Sequence, residues 1–181
     1  MLPTDTVYGP CGDPLDEAVA REIYRLKQRP AAQPLALLAR RVEALLALVP
    51  ELPAELLEAL LPGAYTLVLP NPAQRFGWLT GTAPATIGVR VPELTGPAAE
   101  VLDQVGAVVA TSANLHGGPE ARTLEDVPAA IRDAAVVVEG GELPGTPSTV
   151  LDLTGEEPRV LREGAVPAHE ALERATASFG R

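Results

Sequence analysis

The chain has very few of the side chains that build disulfides, metal sites or nucleophilic triads. Its 181 residues include one cysteine, Cys11, and two histidines, His116 and His169. A single thiol excludes an intrachain disulfide and a multi-cysteine zinc site. The sequence also contains no GxSxG elbow, no HExxH metal pair and no readable Ser-His-Asp order. We therefore assign no residue as a catalytic nucleophile or base.

Aromatic and basic residues are also scarce. One Trp, three Tyr and two Phe give little basis for a stacking platform that binds single-stranded RNA. The 14 Lys and Arg against 24 Asp and Glu give a formal charge of −10, which repels nucleic acid over most of the surface. The two basic clusters are Arg25, Lys27 and Arg29, and Arg40 with Arg41. A contact with tRNA or double-stranded RNA would need one of these clusters, so it is weak on charge grounds.

Long apolar runs are missing as well. No segment reaches the length of a transmembrane helix, and the N-terminus lacks the charged and apolar pattern of a secretory signal. We therefore expect a cytoplasmic protein without membrane contact. A chain of this length is most simply one domain with a sizeable core.

Apolar periodicity predicts strands alternating with helices, and hence an α/β fold with a mixed sheet. Asp13 is predicted to cap the first helix, with Pro14 in its first turn, and Pro30 prevents the helix from continuing. The apolar run before Thr111 predicts a central strand. The predicted strands cover 35–38, 65–69, 86–91, 108–111, 135–138, 149–153 and 159–161, and the further helices cover 42–49, 53–61, 97–105, 123–131 and 168–177.

Two short motifs carry side chains suited to a phosphorylated ligand. Lys27-Gln28-Arg29-Pro30 places two cations at the end of the first predicted helix, and Thr111-Ser112-Ala113-Asn114 places hydroxyl and amide groups after a buried strand. Guanidinium and ammonium groups bind phosphate oxygens, and hydroxyls and amides orient the ligand. The alternative is a helix C-terminus with ordinary basic residues and an ordinary turn. There is no GxxxxGK[ST] loop and no GxGxxG, so ATP would depend on charged side chains.

Three further motifs share the chain with these two: PTDTVYG at 3–9, IGVRVP at 87–92 and PSTVLDL at 147–153. The five in this order resemble the YrdC/Sua5 family of threonylcarbamoyl-AMP synthases, over residues 3 to about 165. The resemblance implies a twisted mixed sheet with flanking helices and a large concave groove. It also implies that the groove binds ATP, L-threonine and bicarbonate. The product, threonylcarbamoyl-adenylate, would pass to a tRNA-modifying transferase complex acting on adenosine 37.

The resemblance also implies which side chains bind each substrate. Arg90 would bind the carboxylate of threonine, although the alternation of its strand also allows a solvent-facing arginine. Magnesium would arrive with ATP, with Asp5 as a candidate outer ligand. His116 belongs to a glycine-containing loop that we interpret as a lid. The implied ATP-binding residues are Lys27, Arg29, Ser112, Asn114 and Arg162, and the implied threonine-binding residues are Thr4, Thr6, Tyr8, Arg90, Thr111 and Ser148.

The chain departs from the family pattern at its start. Only Met1 and Leu2 precede the first motif, so we expect a short YrdC-like domain over 1–181 that lacks the usual N-terminal helix and first strand. Two other functions stay open from the sequence. One is a non-catalytic protein that binds double-stranded RNA or tRNA in the same groove. The other is a carbamoyl-transfer relative of the hydrogenase-maturation type.

Overall fold

A seven-stranded mixed sheet organises the chain, whose structure is a computed structural model that describes residues 1–179. Its strand order is β3-β7-β4-β6-β5-β8-β9, with parallel pairing of β4 with β6 and of β5 with β8. A small antiparallel pair, β1 with β2, lies outside this sheet. The strands are β1 (Leu2–Pro3), β2 (Tyr8–Gly9), β3 (Cys11–Gly12), β4 (Ala36–Ala39), β5 (Tyr65–Pro70), β6 (Thr86–Arg90), β7 (Ala107–Ala110), β8 (Thr149–Asp152) and β9 (Arg159–Arg162).

The two faces of the sheet follow from the alternation of side chains along each strand. In β5, Leu67 and Leu69 are fully buried in the main core, and in β6 Ile87 and Val89 are buried beside them. Helices α1 (Glu17–Lys27), α2 (Val42–Leu48), α3 (Ala54–Leu60) and α6 (Ala168–Phe179) contribute apolar side chains to this core. The intervening residues point to the opposite face, part of which is covered by a second apolar cluster that includes Leu38, Val108 and Leu102. That second face is concave and carries the candidate site.

The helices are α1 (Glu17–Lys27), α2 (Val42–Leu48), α3 (Ala54–Leu60), α4 (Gly96–Val105), α5 (Ala129–Arg132) and α6 (Ala168–Phe179). The prediction that Asp13 caps α1 is wrong. The N-cap is Asp16, whose carboxylate accepts a hydrogen bond from the Ala18 amide at 2.9 Å. The Asp13 carboxylate instead accepts from the Leu15 amide at 2.8 Å, which forms a separate turn before the helix. At the other end Gln28 takes a left-handed conformation (φ 51°) and terminates α1 directly after Lys27.

Two predicted elements did not form. The segment 135–138 is not a strand and pairs with no strand of the seven-stranded sheet. Its backbone contacts Met1 instead: the N-terminal ammonium donates to the Val136 carbonyl at 2.6 Å, and the Val138 amide donates to the Met1 carbonyl at 3.1 Å. The predicted helix 123–131 is reduced to α5. Its expected capping residue Thr123 lies in a turn, with its amide donating to the Asp126 carboxylate at 2.9 Å.

For the remaining predicted helices and strands, most ends lie within one or two residues of the ends in the structure. The predicted α/β class with a mixed sheet, flanking helices and a concave face is confirmed. The predicted pairing of the last two strands is also confirmed, as β8 with β9. Within residues 1–179, no helix has both the length and the apolarity needed to cross a bilayer.

Candidate functional site

A cavity of about 250 Å³ lies on the concave face of the sheet. Its floor consists of the outward-facing residues of β3 to β8, so it depends on the same alternation that builds the core on the other face. Small and apolar side chains form part of the floor, including Gly88 and Val108. The polar residues that line the cavity are Thr4, Arg29, Thr66, Thr86, Arg90, Thr111, Ser112, Ser148 and Arg162.

Three arginines from separate parts of the chain meet in this cavity. Arg29 follows α1, Arg90 ends β6 and Arg162 ends β9. Burial lowers the pKa of Arg29 and of Arg90, and the nearby Arg162 guanidinium lowers both further. All three remain cationic at neutral pH, because an arginine is effectively always protonated. Such a concentration of like charge is favourable once an anion is bound, so the cavity is suited to an anionic ligand.

Arg29 and Arg162 are each oriented by neighbouring polar groups. In Arg29, Nη1 donates to the hydroxyl of Thr111 at 3.2 Å and Nη2 donates to the Pro34 carbonyl at 2.8 Å. Its Nε is buried without a partner among the described residues. In Arg162, Nη2 donates to the Ser148 carbonyl at 2.7 Å. Each guanidinium therefore keeps donors for a ligand.

Arg90 is the most buried of the three, with 9% of its side chain exposed. Its Nη2 donates to the Asp5 carboxylate and, at 3.0 Å, to the hydroxyl of Thr6. Its Nε is buried and has no partner in the described part of the chain. The alternation of β6 was predicted correctly, but the alternative of a solvent-facing arginine is wrong. The outward face of β6 is the cavity floor and is covered by the PTDT turn.

Lys27 lies behind the cavity wall. It is 1% exposed, and its ammonium donates to the Ser112 carbonyl, to the Asn114 carbonyl at 2.6 Å and to the Asn114 side-chain oxygen at 3.1 Å. Burial, reinforced by the neighbouring Arg29, lowers the pKa of Lys27 to about 8. The first two motifs therefore meet in space, as predicted. Lys27 and Asn114 bond to each other and do not line the cavity, and their assignment to ATP stays a prediction.

The predicted threonine-binding residues divide into two groups. Thr4, Thr111 and Ser148 line the cavity together with Arg90. Thr6 and Tyr8 are fully buried behind it. The hydroxyl of Tyr8 donates to the Gly141 carbonyl at 2.8 Å and accepts from the Gly140 amide at 3.1 Å. These two residues therefore support the wall, and a direct contact with threonine stays a prediction.

Thr66 is a cavity residue that the sequence reasoning missed. Its hydroxyl lies 2.7 Å from the hydroxyl of Ser148, so the two bond across the parallel pair β5 and β8. Thr86 lines the same floor from β6. Both are polar residues at outward positions of apolar strands, and this alternation could have identified them.

The candidate metal ligand Asp5 already has partners for both of its oxygens. One accepts from Arg90 and the other from the Glu93 amide at 3.2 Å. Residues 1–179 contain no group of three or more His, Cys, Asp or Glu side chains placed to bind a metal ion. The ring of His116 lies 3.3 Å from the side-chain amide of Gln33, and its backbone amide donates to the Lys27 carbonyl at 3.1 Å. His116 does not line the cavity.

Fold and site together define an α/β protein with a concave sheet face that carries three guanidinium groups and several hydroxyls. The Sua5/YciO/YrdC family model, described as "Telomere recombination", matches residues 1–164. The chain belongs to this family, as the order of its motifs predicted.

Relatives of known sequence or structure match most of the chain. A threonylcarbamoyl-AMP synthase of Shigella flexneri is 37% identical over an alignment of 173 positions, and the match covers 90% of this chain and 87% of that protein. The crystal structure of Pyrococcus abyssi Sua5 complexed with L-threonine is 34% identical with a TM-score of 0.82, over 97% of this chain. The match covers 53% of the Pyrococcus protein, so this chain spans about half of its length. Escherichia coli YciO has 28% identity and a TM-score of 0.73, over 94% of this chain and 84% of its own.

Proposed function

We propose that this protein is a nucleotidyltransferase that synthesises L-threonylcarbamoyl-adenylate from L-threonine, bicarbonate or carbon dioxide, and ATP. The observation that carries the proposal is the cavity in which three arginines and a set of hydroxyls converge. All three substrates carry or form anionic groups, which match this lining. The names of the similar proteins support the same reaction.

ATP is assigned to the side of the cavity formed by the first two motifs. Arg29 and Arg162 bind phosphate oxygens, since each has guanidinium donors left over from its protein contacts. Ser112 lines the cavity and orients the nucleotide, and its hydroxyl donates to the Asn114 side-chain oxygen at 2.6 Å. Lys27 and Asn114 complete the site, and their mutual bonds fix the loop that carries Ser112.

Threonine is assigned to the side formed by the PTDT turn, β6 and β8. Arg90 binds the carboxylate, since it is buried, cationic and lacks a partner at Nε. The hydroxyls of Thr4, Thr111 and Ser148 bond the polar groups of the amino acid. The complex of Pyrococcus Sua5 with L-threonine supports a threonine site in this fold.

The reaction consists of an addition followed by a displacement. The threonine amine attacks carbon dioxide, forms a C–N bond and loses a proton, which gives a carbamate. A carbamate oxygen then attacks the α-phosphate, and the bond to pyrophosphate breaks. Both steps depend on orientation and charge neutralisation, which the arginines and hydroxyls supply, and neither needs a protein nucleophile.

Magnesium would enter with ATP. Within residues 1–179 no three His, Cys, Asp or Glu side chains are placed to hold it, and the Asp5 oxygens already bond to Arg90 and Glu93. Mg²⁺ commonly uses substrate phosphates and water with few protein ligands. The ion would neutralise phosphate charge in the second step.

Two other functions have weaker support. A non-catalytic RNA- or tRNA-binding protein conflicts with the formal charge of −10, and the cavity arginines lie on a concave face. A carbamoyl-transfer activity of the hydrogenase-maturation type has no separate observation in its favour. In the synthase proposal, the adenylate passes to a tRNA-modifying transferase complex that acts at adenosine 37.

The test is to incubate the full chain with ATP, L-threonine and bicarbonate and to measure pyrophosphate. We expect pyrophosphate release only when all three substrates are present, with threonylcarbamoyl-adenylate as the second product in mass spectrometry. Arg75→Ala is the matched control for cavity variants, because Arg75 pairs with Glu51 on the surface. Pyrophosphate release without threonine, or none at all, would contradict the proposal. A gel-shift titration with tRNA tests the RNA-binding alternative.

A further inference from the structure

The buried pair formed by Asp5 and Arg90 has a role that the sequence did not predict. Asp5 lies in the turn between β1 and β2, whereas Arg90 is the last residue of β6. We infer that Asp5 is a positioning residue that fixes the guanidinium of Arg90 for a carboxylate ligand, and that it is not a magnesium ligand. The inference rests on the proposed function, because it takes the carboxylate to be that of the amino-acid substrate.

Two segments of the chain bond to the Asp5 carboxylate. One carboxylate oxygen accepts from Nη2 of Arg90, and the other accepts from the backbone amide of Glu93, which lies three residues further along the chain. The same Nη2 also donates to the Thr6 hydroxyl at 3.0 Å. The PTDT turn therefore binds both the side chain of Arg90 and the backbone that follows it. This arrangement restricts a side chain that is otherwise rich in rotamers.

The contacts with Asp5 and Thr6 leave part of the Arg90 guanidinium available to a ligand. Both side-chain bonds from the Arg90 guanidinium within residues 1–179 start from Nη2, so Nη1 keeps its donors, whereas Nε is buried and has no partner in that range. Arg90 lines the cavity, whereas Asp5 does not. A ligand in the cavity therefore meets the guanidinium first, with the Asp5 carboxylate behind it. Such an arrangement pre-orients the donors of Arg90 before the ligand arrives.

The charge of the Asp5 carboxylate is compensated by Arg90. Only 14% of the Asp5 side chain is exposed, and burial raises the pKa of its carboxyl while the Arg90 guanidinium opposes that rise. A buried carboxylate is stable chiefly when it is paired, and Arg90 supplies the pair. A metal ion at Asp5 would lie beside the Arg90 guanidinium, whose like charge disfavours a second cation there. Asp5 therefore acts through Arg90.

The experiment is a double-mutant cycle on the full chain with Asp5→Asn, Arg90→Lys and the double variant. Pyrophosphate release gives KM for threonine, KM for ATP and kcat, and titration calorimetry gives threonine binding without turnover. We expect Asp5→Asn to raise the KM for threonine about tenfold, which is the lower end of the effect of removing a residue that orients a ligand-binding side chain. The KM for ATP and the Mg²⁺ dependence should remain within twofold, because Asp5 contacts neither.

The cycle separates an action through Arg90 from a direct one. With Arg90→Lys already present, Asp5→Asn should change threonine binding by less than twofold, since residues that act as a unit are not additive. Asp152→Asn is the matched control: it removes another mostly buried aspartate paired with an arginine, Arg159, outside the cavity. That variant should leave the KM for threonine unchanged.

Three outcomes would overturn the inference: additive effects in the cycle, a raised Mg²⁺ requirement in Asp5→Asn, or a lowered KM for threonine. The last would mean that Asp5 competes with the ligand for Arg90. The failure of the proposed function is distinct, because the wild-type chain would then neither bind threonine nor release pyrophosphate.

Discussion

Replacing Arg29 by alanine is the most direct test of the nucleotide site. The variant loses a guanidinium that lines the cavity and is bonded to Thr111 and to the Pro34 carbonyl. A charge-assisted hydrogen bond to phosphate contributes about 1.5–3 kcal/mol. The Kd for ATP should therefore rise roughly tenfold to 150-fold, since each 1.4 kcal/mol is a factor of ten.

The expected loss exceeds that of a surface arginine for a physical reason. The Arg29 Nε is buried without a partner among residues 1–179, so part of the guanidinium is already removed from water. Burial and the nearby Arg162 lower its pKa, which shows that the cation lies in an environment that disfavours positive charge. A bound phosphate reverses that disadvantage, and the alanine variant loses this gain.

The assay is titration calorimetry with ATP at one fixed salt concentration. Arg75→Ala is the control, because Arg75 forms an exposed pair with Glu51, and such pairs contribute at most about 1 kcal/mol to stability. Circular dichroism should show that both variants remain folded. An Arg29→Ala variant that binds ATP as tightly as the Arg75→Ala control would remove Arg29 from the nucleotide site.

Three further predictions concern pH, selectivity and the wall of the cavity. Because burial lowers the pKa of Lys27 from 10.5 to about 8, the unfolded chain binds this proton more tightly, and the free energy of unfolding should rise by about 3 kcal/mol between pH 8 and 10.5. Urea unfolding of Lys27→Met across this range should lack that rise, and the same pH dependence in the variant and the wild type would contradict the prediction. Threonine should be preferred to valine in pyrophosphate release, and serine should be penalised by only about 1–3 kcal/mol. Arg90→Ala should weaken the binding of threonine and of serine alike, and equal rates of pyrophosphate release with valine and threonine would refute the proposed pocket. Tyr8→Phe should lower the free energy of unfolding by about 1–3 kcal/mol in urea titrations, because it removes the hydroxyl that bonds Gly140 and Gly141; an unchanged midpoint would show that these bonds do not stabilise the fold.

Local pattern was sufficient for much of the fold. Strict alternation in β5 and β6 predicted both strands, and it placed Arg90 on the face opposite the core. Proline at position 30 predicted the end of α1 close to the residue where it occurs. The order of five motifs predicted the family, since motif order is a property of the sequence itself. These features depend on residues close to one another in the chain, which periodicity and backbone sterics describe well.

Only the tertiary structure decided what each charged side chain contacts. The sequence predicts Lys27 as a phosphate ligand, but the loop at Asn114, far along the chain, supplies the oxygens that accept from its ammonium. Asp5 reads as a candidate metal ligand, but β6 brings Arg90 to it. The segment 135–138 has the composition of a strand, yet its backbone bonds to Met1. Contacts between distant segments depend on how the whole chain folds, because a buried polar group bonds to the polar groups that the fold places beside it. The local sequence pattern does not contain the identity of those partners.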